Sequence, residues 1–88
     1  PGTNIGAKIQ TQMATRGWNR ATLDKLISNP HGTRAVRDTR HLPGGERVDD
    51  PATAYINRNG DYVIRNDRTG DVVQVSNRHD LNWAAPWD

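Results

Sequence analysis

Two kinds of periodicity divide this 88-residue chain. Together they predict an α+β domain, with two N-terminal helices packed on one face of a twisted antiparallel sheet of three to four strands. In the first third, apolar residues recur at helical spacing. After Asp50 the alternation shortens to a period of two, and "RNG" and "DRTG" interrupt it with turn chemistry.

The elements follow in chain order. Ile5, Ile9 and Met13 are four apart and form one apolar stripe on a helix of about two turns, with Lys8 at its edge. Gly17 ends that helix because glycine tolerates the left-handed C-terminal conformation. Asn19 is the N-cap of a second helix, "RATLDKLIS", whose inner face is Leu23, Leu26 and Ile27. Pro30 and Gly32 stop it. The stretch "GTRAVRDTRHLPGGERVDD" predicts a short strand near 35–39 and then a long loop.

Three strands follow, in "ATAYIN", "DYVIRN" and "DVVQVSN". Strict alternation places Tyr62, Ile64 and Asn66 opposite Val63 and Arg65, and Val72, Gln74 and Ser76 opposite Val73, Val75 and Asn77. Each face is then mixed. That predicts a sheet with one buried face and an open concave side presenting Arg65 and Gln74. No repeat or composition break divides the chain, so residues 1–88 are expected to form a single domain.

Composition narrows the function classes. Hydrophobic residues make up 33% of the chain and Phe is absent, so the core must be thin. With no cysteine, disulfides and cysteine-based zinc sites are excluded. No run approaches the roughly 18 apolar residues of a membrane span, and no signal segment opens the chain. Lacking a starting Met, the chain is expected to be a piece of a larger protein. Its net charge of +2 is unevenly spread. Residues 1–47 hold two Lys and six Arg against three acids, a net +5, whereas 48–88 hold four Arg against seven Asp, a net −3. The first half is thus suited to a polyanion.

Few other chemistries are supported. His31, His41 and His79 are far apart in the chain, and as loop residues they are expected to be exposed. "DDPAT" has the character of an Asx turn rather than a ligand pair. "PGG" lacks the Lys-Ser/Thr that would make it a phosphate loop. Trp18 and Trp83 are candidate stacking platforms for bases, and Trp87 a weaker one. Thr53, Tyr55 and Gln74 suit either sheet packing or the lining of a cleft, while Ile9 and Met13 belong to the core.

"KIQTQMATRGW", "ISNP", "DDPATAY", "YVIRNDRTGDVVQVS" and "HDLNW" occur in an order that resembles the colicin E5-type ribonuclease domain and the related toxic C-termini of contact-dependent growth inhibition effectors. The resemblance runs from about residue 8 to residue 83. It implies a barnase/colicin-like ribonuclease fold and a metal-independent, cofactor-free endonuclease. Such a domain cuts tRNA in the anticodon loop, at queuosine-type tRNAs as the family expectation, leaving a 2′,3′-cyclic phosphate and a 5′-hydroxyl. By motif, Lys8 and Arg16 are the implied catalytic pair, with Trp18 beside them in the cleft. Val75 and Trp83 flank the nucleotides, and Asn29 reads a base edge. A third basic position falls in the long loop, where Arg37 and Arg40 are both candidates.

The same resemblance implies a bacteriocin or contact-dependent toxin exported within a larger protein and acting in the cytoplasm of a target bacterium. Its implied partners are tRNA and an acidic cognate immunity protein, with no membrane and no self-association. Transesterification suits Lys and Arg, because the nucleophile is the substrate's own 2′-oxygen and fixed positive charge stabilises the phosphorane. Arg16 ranks first as phosphorane stabiliser, and Lys8, whose charge responds more readily to its surroundings, as proton carrier. Three alternatives remain open: a non-catalytic RNA- or DNA-binding module, a tRNase cutting outside the anticodon loop, and a protein-interaction domain.

Overall fold

The computed structural model describes residues 2–87. Two helices, α1 (Ala7–Arg16) and α2 (Arg20–Ser28), precede four strands, β1 (Gly32–Asp38), β2 (Asp50–Ile56), β3 (Tyr62–Asn66) and β4 (Val72–Val75). The strands form one antiparallel sheet in the order β1-β2-β3-β4. α1 lies against β4, and α2 lies over β2 and β3. This is the expected α+β arrangement, with the fourth strand present.

Local chemistry explains the helix ends. Gly17 takes φ 84° and returns its N–H to Met13, closing α1 in the left-handed conformation. Asn19 caps α2, its side chain accepting from the Thr22 N–H at 2.8 Å. α2 stops at Ser28, because Pro30 disfavours helical geometry in the residue before it. Ile5 departs from expectation, since it precedes α1. Its neighbour Asn4 runs parallel to β4's start, with Asn4 N–H bonded to the Gly70 carbonyl and Val72 N–H to the Asn4 carbonyl.

β1 is longer than the expected 35–39 because it pairs residue for residue with β2, from Gly32 opposite Ile56 to Asp38 opposite Asp50. The following loop folds back on itself, with Leu42 N–H bonded to Glu46 and Val48 N–H to Arg40. "DDP" is a strand start rather than an Asx turn, as Asp50 opens β2.

A β-bulge corrects the alternation in β4. Ile64 faces Gln74 and Arg65 faces Val72, leaving Val73 as an extra residue. Val72 and Val75 therefore share the helix-facing side, where they pack with Val63, Ile9, Met13, Trp18, Leu23 and Leu26. Val73 and Gln74 turn to the opposite face. Arg65 is not on that open side: its guanidinium lies 5.5 Å from the Tyr55 ring centre and donates to Thr3 Oγ1, beside the helix-side core.

The second sheet face is lined by Ala52, Ala54, Tyr62 and Ile64, and the C-terminal tail covers part of it with Trp83, Ala85 and Trp87. Ala52, Ala54, Tyr62 and Ile64 are all buried, so this face is not the open one expected.

One end of the sheet is tied by a polar hub. Asp38 is 1% exposed, and its carboxylate accepts from Arg40 Nε and Nη2 and from Asn66 Nδ2, the last at 2.8 Å. The second Asn66 Nδ2 hydrogen goes to Asp50, which also accepts from Arg68. Asn66 Oδ1 takes the Arg68 and Thr69 N–H groups of the β3–β4 turn. Burial opposes the charge on Asp38, but the bonds from Arg40 and Asn66 outweigh it and hold the carboxyl below the usual range. Arg68 and then Asn66 do the same for Asp50.

Both carboxylates are held more acidic in the folded state than the roughly 3.9 of an unfolded aspartate. Their stabilisation is therefore present above that value and lost as pH falls through the lowered folded values. Urea denaturation across pH 2 to 7 should show a plateau near neutrality and a decline below about pH 4. Asn66→Ala should cost about 3 kcal/mol, since it removes one donor from buried Asp38 and leaves two turn amides without partners. A loss under about 1 kcal/mol in the same titration would show that the hub is dispensable.

Candidate active-site groove

Lys8, Gln12 and Arg16 are spaced four apart and stack along one edge of α1. Lys8 stands in the first turn, where the helix dipole disfavours a cation by about 0.3–1 kcal/mol. No acidic residue of that turn offsets it, and the Gly6 N-cap offers no side chain to the first amides. Those amides, exposed Lys8 and Arg40 border a recess of about 370 Å³, with Gln12, Asp71 and Val73 among its walls. This is an anion-seeking arrangement. Asp71, the acid in it, is engaged by Arg40 at 3.5 Å.

Arg40 reaches this recess because Asp38 aims it. Bonding to Asp38, aided by Asp71, keeps its guanidinium more firmly protonated than free arginine. It is a fixed charge and no proton carrier. Arg40 and Val73 also line a neighbouring recess of about 210 Å³ with Gln74 and Arg37, so the two join as one groove.

Arg16 is half-buried at the far end of α1, the end the dipole favours for a cation. Its Nη1 donates to the Val75 carbonyl at 2.9 Å and to Gln12 Oε1 at 3.4 Å. Because β4 is the edge of the sheet, Arg16 also satisfies an otherwise open acceptor. The guanidinium lies 5.0 Å from the Trp83 ring centre. Nε and Nη2 make no hydrogen bond among the described residues. Trp83 Nε1 in turn donates to Tyr62 Oη at 2.9 Å, and Gln74 Nε2 donates to the same oxygen at 3.2 Å. Arg16, Trp83, Tyr62 and Gln74 thus form a connected wall.

About 12 Å of helix separates the Lys8 and Arg16 backbones at 1.5 Å per residue. The pair spans a groove long enough for more than one nucleotide, and a shared phosphate needs both long side chains to bend toward Gln12.

The other expected site residues fall in different places. Trp18 is not a cleft platform: it is 5% exposed, sits in the helix-side core and donates from Nε1 to the Ser76 carbonyl at 2.7 Å. Val75 has a fully buried side chain and offers the groove only its carbonyl. Arg37 is exposed at the groove's rim, where Asp49 neutralises it at 2.9 Å. Asn29 is exposed at the C-cap of α2 and lines a separate recess with Lys25 and His31. Trp83 is half-buried beside Arg16, and Trp87 packs on Tyr62 with ring centres 4.9 Å apart.

His31, His41 and His79 are all exposed and lie in separate segments. Among the described residues no three His, Cys, Asp or Glu side chains gather as a metal-ligand group. No helix among them is long and apolar enough to cross a membrane.

Two groove residues escaped the sequence reading. Gln12 was available from its four-residue spacing to both Lys8 and Arg16. Tyr62 was not, because its hydroxyl matters only where the folded tail and β4 converge on it.

Two helices on one face of a four-stranded antiparallel sheet, with a cation-lined groove along the edge strand, define a barnase/colicin-like ribonuclease fold. The pattern of the colicin E5 ribonuclease domain matches residues 5–88, and the chain belongs to that family. It is 38% identical over 88 residues to Colicin-E5 of Escherichia coli, covering 94% of this chain and 47% of that protein. It is likewise 38% identical over 88 residues to tRNA nuclease CdiA of Burkholderia pseudomallei, covering 92% of this chain and 7% of that one. The chain thus spans less than half of each of these relatives.

Trp18→Phe should lower the unfolding free energy by about 1–3 kcal/mol, because the Ser76 carbonyl loses its donor and the core loses volume. Per folded molecule, RNA binding should be unchanged. A stable variant with selectively weakened RNA binding would return Trp18 to the cleft.

Proposed function

We propose that this domain is the nuclease module of an antibacterial toxin, a metal-independent endoribonuclease that cuts tRNA in the anticodon loop by transesterification. The observation that carries this reading is the row of Lys8, Gln12 and Arg16 on α1, held along β4 by the bond from Arg16 to the Val75 carbonyl. Family membership supports it, as do the printed names of the two relatives.

The reaction asks little of the protein beyond charge and orientation. The substrate's 2′-oxygen attacks the adjacent phosphorus, the 5′-oxygen leaves, and a 2′,3′-cyclic phosphate results. Arg16 stabilises the phosphorane with its uncommitted Nε and Nη2 donors, while Nη1 stays anchored. Lys8 carries the proton at the other end of the row, and Arg40 adds fixed positive charge from its seat on Asp38. Trp83 and Gln74 line the wall on which a base stacks and is read, and Asn29 contacts RNA beyond the groove. In-line positioning of the dinucleotide contributes several kcal/mol of its own.

The cationic groove also suits an acidic immunity protein that occupies it in place of RNA. The domain is proposed to be delivered within a larger exported protein and to act in the cytoplasm of the target bacterium.

Incubation with total tRNA in EDTA, followed by fragment sequencing, should reveal anticodon-loop cuts ending in 2′,3′-cyclic phosphate. Lys8→Ala and Arg16→Ala should each reduce kcat by at least about a hundredfold. Arg16→Lys should remain equally impaired, since one ammonium cannot hold the Val75 carbonyl and grip two phosphate oxygens together. Wild-type rates in both alanine variants would overturn the site, and salt-dependent RNA binding without turnover would indicate a binding module.

A further inference from the structure

At the opposite end of the sheet from Lys8, the last turn of α2 meets the β2–β3 turn. Lys25, His31 and Arg58 come together there with Asn29, Asn57 and Asn59 around a recess of about 590 Å³. No carboxylate lines it. Arg20, Arg37, Arg40, Arg68 and Arg78 each lie within 4.0 Å of an aspartate, whereas among the described residues Lys8, Arg16, Arg34, Arg47 and Arg65 do not. Among the described residues, Lys25 and Arg58 have no such partner.

Fold requirements account for only part of this cluster. Lys25 in the last turn of α2 is favoured by the helix dipole. Asn57 is consumed by its own turn, its side chain accepting from the Asn59 and Asp61 N–H groups and donating to Asp61. Nothing comparable holds Arg58, and the side chains of Asn29 and Asn59 make no hydrogen bond among the described residues. Exposed cations and amide donors around a shallow recess match the oxygens of a sugar-phosphate backbone.

The patch also connects to the groove. Asn59 lines both this recess and the adjoining one, which holds Trp83, Asp80 and the Arg78–Asp61 pair, and Trp83 lies over Arg16. A folded RNA seated at Arg16 can extend along that surface, whereas a dinucleotide cannot reach it.

We propose that Lys25, His31 and Arg58 form a second RNA contact, gripping the backbone of the folded part of the substrate outside the groove. This rests on the proposed nuclease activity, and it separates two tasks. The groove acts on the cleaved step, and the patch sets affinity for intact tRNA.

The test compares wild type with Lys25→Ala/Arg58→Ala and Lys25→Glu/Arg58→Glu. The substrates are intact tRNA and a short single-stranded RNA spanning the mapped cut. The alanine pair should raise KM for intact tRNA about tenfold with kcat unchanged, and the glutamate pair should raise it further. Cleavage of the short RNA should stay at the wild-type rate. In an Arg16→Ala background, the alanine pair should flatten the slope of log binding constant against log salt by about 1.4–1.8. Unchanged KM and slope, or an equal loss on both RNAs, would overturn the proposal. So would a loss confined to binding of an acidic protein. If wild type does not cut tRNA, the nuclease reading fails, and the salt slope of tRNA binding still decides the patch.

Discussion

The buried carboxylate of Asp38 is the constraint around which this small domain is arranged. A charge at the end of β1 is tolerable only if every strong acceptor position is met, and Arg40 and Asn66 meet them. Asn66 ends β3, Asp50 begins β2, and Asn66 also organises the turn into β4. One set of hydrogen bonds thus fixes three strand ends. The same bonds point Arg40 at the first turn of α1, so the structural hub and the charge of the groove share a guanidinium.

Several arginines have their charge taken up by the fold. Arg20, Arg37, Arg68 and Arg78 lie beside aspartates, which absorbs their charge into the folded surface. Lys8 and Arg16 do not. Arg16 is held by a carbonyl and an indole, which fix its position without neutralising it. That distinction lets a chain of net charge +2 present a positive groove. The three histidines are exposed and lie in separate segments.

Much of this architecture was legible in the residues. The Asn19 cap, the Gly17 stop, the α2 core face and the turns before Asp61 and Asp71 all follow from local chemistry, and all are present. The placement of Lys8 and Arg16 on one helix was legible as well, through spacing. Trp18 was misread because an indole beside an arginine looks the same in sequence whether it faces RNA or the core. Its burial is decided by the segment just after β4, where the Ser76 carbonyl receives the indole N–H. Val75 was put on the wrong face relative to Val72, because strict alternation has no means of anticipating the extra residue Val73.

By itself the sequence determined the α+β class, the helix ends, the hairpin turns and the polarity of charge along the chain, since each is set by residues within a few positions of one another. Only the tertiary structure decided which cations remain unpaired, which tryptophan is buried, and which face of β4 receives each side chain. Those outcomes depend on contacts across the chain: Asp38 with Asn66, Arg16 with Val75, Trp18 with Ser76. A burial and pairing ledger of that kind closes only when distant strands and helices share one core, and local periodicity carries no record of it.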